Sequence, residues 1–203
     1  MPTFRSPSWV EIQTAMIRIA GRIRSDGKHF DAIVGIARGG WVPARLLCDL
    51  LGIQRLISVQ LVSYEKMERG KIKQLDMPEL SGIGEVLLVD DVSDSGSSFK
   101  HSLSVISRSG VSAKTSAIYV KPWTAFRPDY YYQEVNEWVV FPWEVVEVVG
   151  PMVKSKTDSP EQISKRIGMD ISTLRSFQDF FVDCALSSEK ELFEGSGRVA
   201  KQD

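Results

Sequence analysis

The sequence predicts an α/β protein: a mostly parallel β-sheet flanked by helices. Three observations carry this expectation. Short, mostly apolar runs recur at 32–37, 56–62, 85–90 and 115–120, as strands buried on both faces do. Segments with apolar residues three and four apart lie between several of them. Glycines stand just past those segments, where helices end.

Taken in order, Ile12, Met16, Ile19 and Ile23 form the buried stripe of a first helix, with Gly27 near its exit. AIVGIA at 32–37 is a strand that opens into RGGWVP. ARLLCDLL at 44–51 is helical, with Gly52 behind it as C-cap. LISVQLV at 56–62 gives the next strand. The polar run that follows, SYEKMERGKIKQLDMPELSG, has the composition of a lid or a surface hairpin. EVLLVD is the central strand, expected to end at Asp90. Phe99, Leu103 and Ile106 mark a helix closed by Gly110, TSAIYV at 115–120 is a further strand, and WVVF at 138–141 a short final one. Beyond Pro151 the chain changes character. Ser159, Pro160 and Gln162 form the start of a helix with a capping box, carrying Ile163 and Ile167 and ending at Gly168. Ser172 is expected to cap another, with Leu174, Phe177, Phe181 and Cys184 on its apolar side.

The 203 residues suffice for one substantial core. Lys and Arg number 25 against 26 Asp and Glu, so no global positive field recruits nucleic acid. Two cysteines, Cys48 and Cys184, set no disulfide framework and are expected as buried free thiols. MPTFRSPSWVEIQ has neither the charged region nor the apolar run of a secretory signal, and no segment reaches membrane-spanning length. A cytoplasmic location without membrane contact is the expectation.

The stretch VLLVDDVSDSGSS, residues 86–98, carries chemistry. In sheets of this class ligands sit beyond the C-terminal strand ends. Adjacent Asp90 and Asp91 suit vicinal ribose hydroxyls, which need anionic acceptors. Gly96 permits a close turn, and successive amides leading into a helix N-terminus can cradle a phosphate. Composition alone leaves ordinary turn chemistry equally open.

The order strand, paired acids, phosphate turn resembles the phosphoribosyl-diphosphate signature of type I phosphoribosyltransferases. VGIARGGWVPARLL at 34–47 resembles that family's pyrophosphate loop, and YVKPWTAFRPDYYYQEVNEWVVFPWE at 119–144 the base-binding region of its purine enzymes. The resemblance implies a type I fold over 1–150 with a small base-binding hood, while the residues beyond it read as a helical extension over 151–194 and a loose tail over 195–203. It assigns Asp90 and Asp91 to ribose, and Asp94, Ser95, Gly96, Ser97 and Ser98 to the 5′-phosphate. Asp94 is also assigned to proton transfer at purine N7. Arg38, Gly39 and Gly40 would meet the diphosphate, with a strained or cis peptide at the start of their loop. Lys121 would donate to the exocyclic oxygen of a 6-oxopurine, Trp138 stack on the ring, and the Val139 backbone read its edge, while Trp143 is structural. Ser63 and Tyr64 would belong to a closing lid, and Glu144 would assist Mg2+, held mainly by substrate and water. The implied reaction joins a purine base to phosphoribosyl diphosphate in a homodimer or higher homo-oligomer. Two other readings stay open: an adenine phosphoribosyltransferase on the same scaffold, and a non-catalytic sensor of phosphoribosyl diphosphate. The sensor would use the faint helix-turn-helix look of 159–186, whose weak basicity and phenylalanines favour packing.

Overall fold

The computed structural model describes residues 3–63, 72–76, 79–155 and 157–180. They fall into two compact units, one spanning 8–136 and one drawn from both ends of the chain, up to Pro7 and from Glu137 onward. In chain order the elements begin β1 (Phe4–Arg5), α1 (Trp9–Ser25), β2 (Ala32–Ala37), α2 (Trp41–Leu51) and β3 (Leu56–Ser63). They continue with β4 (Ile72–Asp76), β5 (Glu85–Ser93), α3 (Ser97–Arg108), β6 (Ser112–Val120) and β7 (Tyr130–Glu134). Last come β8 (Trp138–Val139), α4 (Val145–Ser155) and α5 (Pro160–Ile167), with a further helical run over 171–180.

The larger unit is a six-stranded sheet ordered β4–β3–β2–β5–β6–β7. Every neighbouring pair is parallel except β3 and β4, which run antiparallel. Alternation along β2 places Ala32, Val34 and Ile36 in one core with Phe99 and Ile106 of α3. On the other face α1 and α2 pack together and against the sheet. The α1 stripe is as the spacing predicts: Ile12, Met16, Ile19 and Ile23 are buried. Its start is set by Ser8, whose hydroxyl accepts from the Glu11 amide at 3.2 Å while the Glu11 carboxylate accepts from the Ser8 amide at 2.8 Å. Gly52 closes α2 in the left-handed conformation, φ 73°. Cys48 is a buried free thiol, pushed up in pKa by its burial; Cys184 lies outside the described residues.

Several boundaries differ from the sequence reading. β5 does not stop at Asp90; its ladder with β6 continues through Val92 opposite Tyr119 and Ser93 opposite Val120. Hydrogen bonding outlasts the apolar run. WVVF contributes only Trp138 and Val139 to a strand, and that strand pairs in parallel with β1 in the smaller unit, not with the main sheet. The outer strand beside β6 is instead β7, YYYQE, which has no buried-strand pattern because it lies at an edge. Part of the polar run after β3 forms β4, paired Val62 opposite Lys73.

In the smaller unit Val145, Val149, Ile163, Ile167 and Leu174 share a core, packed by Phe4 and Phe177. Ser159 caps α5 with the expected box, its hydroxyl accepting from the Gln162 amide at 3.3 Å, and Gly168 closes it at φ 69°. The next helical run is capped by Asp170 rather than Ser172: its Oδ1 accepts from the amides of Ser172, at 2.9 Å, and Thr173, at 3.1 Å. A hydrogen bond from the Ser172 hydroxyl leads the contacts that hold the Asp170 carboxyl below its ordinary range. Among the described residues no helix is long and apolar enough to cross a membrane.

One polar clamp fixes where β7 begins. Asp129 accepts from the Thr115 amide at 2.9 Å, the Thr115 hydroxyl at 2.7 Å and the Lys114 ammonium at 2.7 Å. Burial pushes this carboxyl up, but the Lys114 and Thr115 donors outweigh it and leave its pKa lowered. A depressed folded-state pKa stabilises above the unfolded value, near pH 4, and that stability is lost as pH falls through the folded value. Asp129→Ala should therefore cost about 1–3 kcal/mol at neutral pH. The deficit should shrink toward about pH 3, as urea unfolding at both pH values would show.

Candidate active site

β2, β5 and β6 lie side by side, and their C-terminal ends carry the segments 38–40, 94–98 and 121–126. From β2 the chain next joins the sheet on one side, as β3, while from β5 it joins on the other, as β6. The boundary between β2 and β5 is thus a topological switch point, where open α/β sheets leave a crevice.

The RGG segment meets the acidic pair across that boundary. The peptide Ala37–Arg38 is cis, and the Arg38 side chain is exposed. A Cβ on Gly39 would sit 2.6 Å from Cγ of Asp91, and one on Gly40 would sit 2.6 Å from the Ile36 carbonyl oxygen. Only glycine allows this approach. Asp91 is buried, and its Oδ1 accepts from the Val92 amide at 2.7 Å; Oδ1 of Asp90 accepts from the Asp91 amide at 3.0 Å.

Past Ser93 the chain turns through Asp94, Ser95 and Gly96 into α3. Gly96 has φ 80° and no side chain with which to cap the helix, and the first-turn amide of Ser97 donates to the Ser95 hydroxyl oxygen at 3.3 Å. The Ser95 and Ser97 hydroxyls lie 2.8 Å apart. A Cβ on Gly96 would meet the Phe126 amide nitrogen at 2.7 Å, and Phe126 stacks on Phe99 at 5.2 Å.

The turn after β6 is stitched to this loop. The Lys121 amide donates to the Ser93 carbonyl at 3.0 Å, the Ala125 amide to the Ser95 carbonyl at 3.2 Å, and the Ser93 hydroxyl to the Phe126 carbonyl at 2.6 Å. Lys121 is 6% exposed. Its ammonium lies 5.5 Å from the Trp123 ring centroid, and the Trp123 indole N–H donates to Oδ1 of Asp94 at 2.8 Å. Trp123 is a contact that motif reading passes over. Its only signal in the sequence is its place two residues after Lys121.

A family model described as phosphoribosyl transferase domain matches residues 8–148. The chain belongs to that family. It is 30% identical over 159 residues to a xanthine-guanine phosphoribosyltransferase of Gluconobacter oxydans, covering 75% of this chain and 92% of that protein. It resembles the crystal structure of a purine phosphoribosyltransferase from Pyrococcus horikoshii at TM-score 0.61 and 32% identity, covering 69% of this chain and 93% of that one. The Helicobacter pylori xanthine-guanine-hypoxanthine phosphoribosyltransferase shares the fold at TM-score 0.66 and 19% identity, over 75% of this chain and 99% of that one.

In this type I phosphoribosyltransferase domain, Arg38 to Gly40, Asp90, Asp91, Asp94 to Ser98 and Lys121 all belong to one unit, at neighbouring strand ends. Trp138, Val139 and Glu144 belong to the smaller unit. There the amides of Trp138 and Val140 donate to the Thr3 and Arg5 carbonyls at 2.8 Å each, so the Val139 peptide groups point to the opposite edge of β8. Trp138 is exposed, whereas Trp143 stacks on Phe141 at 4.7 Å. Glu144 directly precedes α4. Of the expected lid, Ser63 ends β3 and Tyr64 lies outside the described residues.

Proposed function

We propose that the protein is a purine salvage enzyme that transfers the phosphoribosyl group of 5-phospho-α-D-ribosyl 1-diphosphate to N9 of a 6-oxopurine. The C1′–N9 bond forms as the bond from C1′ to the diphosphate oxygen breaks, with inversion, giving a nucleoside 5′-monophosphate and diphosphate. The observation that carries the reading is the buried Lys121 on a turn tied to the Asp94–Gly96 loop. An ammonium can donate to O6 of an oxopurine; the amino group of adenine offers it no equivalent acceptor.

The remaining roles follow the same logic. The amides at the start of α3 and the hydroxyls of Ser95, Ser97 and Ser98 receive the 5′-phosphate. Asp90 and Asp91 accept from the ribose hydroxyls. The Gly39 and Gly40 backbone lets the diphosphate approach closely, and Arg38 offsets its charge. Asp94 takes or orients the N7 proton. Trp138 and the outward-facing Val139 peptide are assigned to stacking and edge reading of the base.

Among the described residues no three His, Cys, Asp or Glu side chains cluster as a metal site. Mg2+ would be held mainly by substrate oxygens and water, with Glu144 as the assisting carboxylate. When bound, the ion would offset charge on the departing diphosphate.

Purified protein supplied with the donor, magnesium and one base at a time tests this reading by the nucleotide and diphosphate formed. Guanine, hypoxanthine or xanthine should be used with kcat/KM at least about 100-fold above adenine, as a site built to hydrogen-bond the oxygen requires. Turnover confined to adenine would overturn the role of Lys121. No turnover with any base, beside tight donor binding, would mark the protein as a sensor.

A further inference from the structure

Trp123 touches the two groups to which the proposed transfer assigns N7 and O6 of the base, and no part of that transfer gives it a task. The residue is 60% exposed, yet it does not sit on a loose loop. The Thr124 amide donates to the Lys121 carbonyl at 3.1 Å, and the next amide, of Ala125, donates to the Ser95 carbonyl at 3.2 Å. The Thr124 hydroxyl lies 3.0 Å from that of Ser93. The backbone on the C-terminal side of the indole is therefore fixed to the loop that holds Asp94.

From that base the side chain makes two specific contacts. Its N–H occupies Oδ1 of Asp94 at 2.8 Å, and its ring lies 5.5 Å from the Lys121 ammonium, within cation–π range. A carboxylate has two oxygens. An N–H fixed on one sets the plane of the group and leaves Oδ2 to meet a second donor.

We infer that Trp123 is a positioning residue for the purine: its indole N–H holds Asp94 so that the other oxygen meets N7, and its ring seats the Lys121 ammonium for O6. This rests on the proposed purine transfer. Trp123→Phe keeps an aromatic ring for Lys121 while losing the N–H with the five-membered part of the indole, whereas Trp123→Ala removes both contacts.

The test is steady-state kinetics of wild type, Trp123→Phe and Trp123→Ala with guanine, hypoxanthine, xanthine and adenine, alongside thermal unfolding. Trp123→Phe should lose about tenfold in kcat, part of the factor that proton transfer supplies. Its KM for the donor should stay within about twofold and its melting point at the wild-type value, because an exposed ring contributes little to the core. Trp123→Ala should in addition raise the KM of the base and narrow the preference for oxopurines over adenine. Wild-type turnover matched by Trp123→Phe would overturn this inference and leave the transferase reading intact. A kcat loss that tracks a lowered melting point and a raised donor KM would also overturn it, since that is what a structural residue would give. A wild type silent with every base would remove the transferase reading and the inference together.

Discussion

Gly40→Ala should lower the thermal midpoint by roughly 10 °C. A Cβ there would lie 2.6 Å from the Ile36 carbonyl oxygen and 2.8 Å from its amide nitrogen, and closer still to the Val89 carbonyl oxygen. These are backbone atoms of β2 and β5, neighbouring strands inside the sheet, and no rotamer change removes them. Overpacking of this kind costs about 1–3 kcal/mol, and a fixed backbone obstacle belongs at the upper end. In a protein of this size each kcal/mol moves the midpoint by about 2–4 °C. Gly39→Ala makes the useful comparison. The atoms nearest its Cβ would all be those of the Asp91 carboxyl, a side chain that can turn away, so the stability loss should be near 1 kcal/mol. Its larger effect should fall on binding of the ribosyl donor, because Asp91 must leave its present position. Gly21→Ala, on the exposed side of α1 with nothing within 4 Å, is the control and should gain about 0.5–1 kcal/mol. Calorimetry on the three variants decides the matter; a Gly40→Ala protein that melts within about 2 °C of wild type would show that the loop can move aside.

The parts legible in the sequence are those whose cause is local. RGG and DSGSS announce themselves because each demands glycine locally: a Cβ on Gly39, Gly40 or Gly96 would come far inside van der Waals contact with a neighbouring atom. The α1 stripe and the Ser159 capping box are likewise written within one or two turns of helix. What the sequence hid depends on pairing between distant segments. The end of β5 is set by the ladder with β6, which carries on past the last apolar residue to Ser93. β7 is an edge strand of tyrosines and polar residues, and β1 finds β8 more than 130 residues away. The same limit hid Trp123. Its bond to Asp94 spans 29 positions, and only the folded turn brings the indole to the carboxylate. Asp170 took the cap expected of Ser172 for a subtler reason: both residue types can cap, and it is the Asp170 carboxylate that meets the Ser172 and Thr173 amides.

Asp94→Asn should reduce kcat by about 100-fold or more while leaving the protein folded. The amide matches the carboxylate in shape, and its oxygen can still accept the Trp123 indole N–H that now reaches Oδ1 at 2.8 Å. It cannot take up a proton from purine N7. Asp94 also opens the loop proposed for the 5′-phosphate, and the two roles predict opposite kinetics. A group that only shapes the phosphate loop would, on losing its charge, change the KM for the donor and leave kcat alone. If anything the donor should then bind more tightly, because a carboxylate beside a phosphate repels it. A group that handles the proton would lose kcat with donor KM within a few-fold, since that interaction is made only on the way to the transition state. Measuring both parameters with a saturating oxopurine therefore separates the roles in one experiment. Unchanged kcat would move the proton to water or another group and reduce Asp94 to a loop residue. A loss of kcat alone would place it, with its indole partner, at the reacting base.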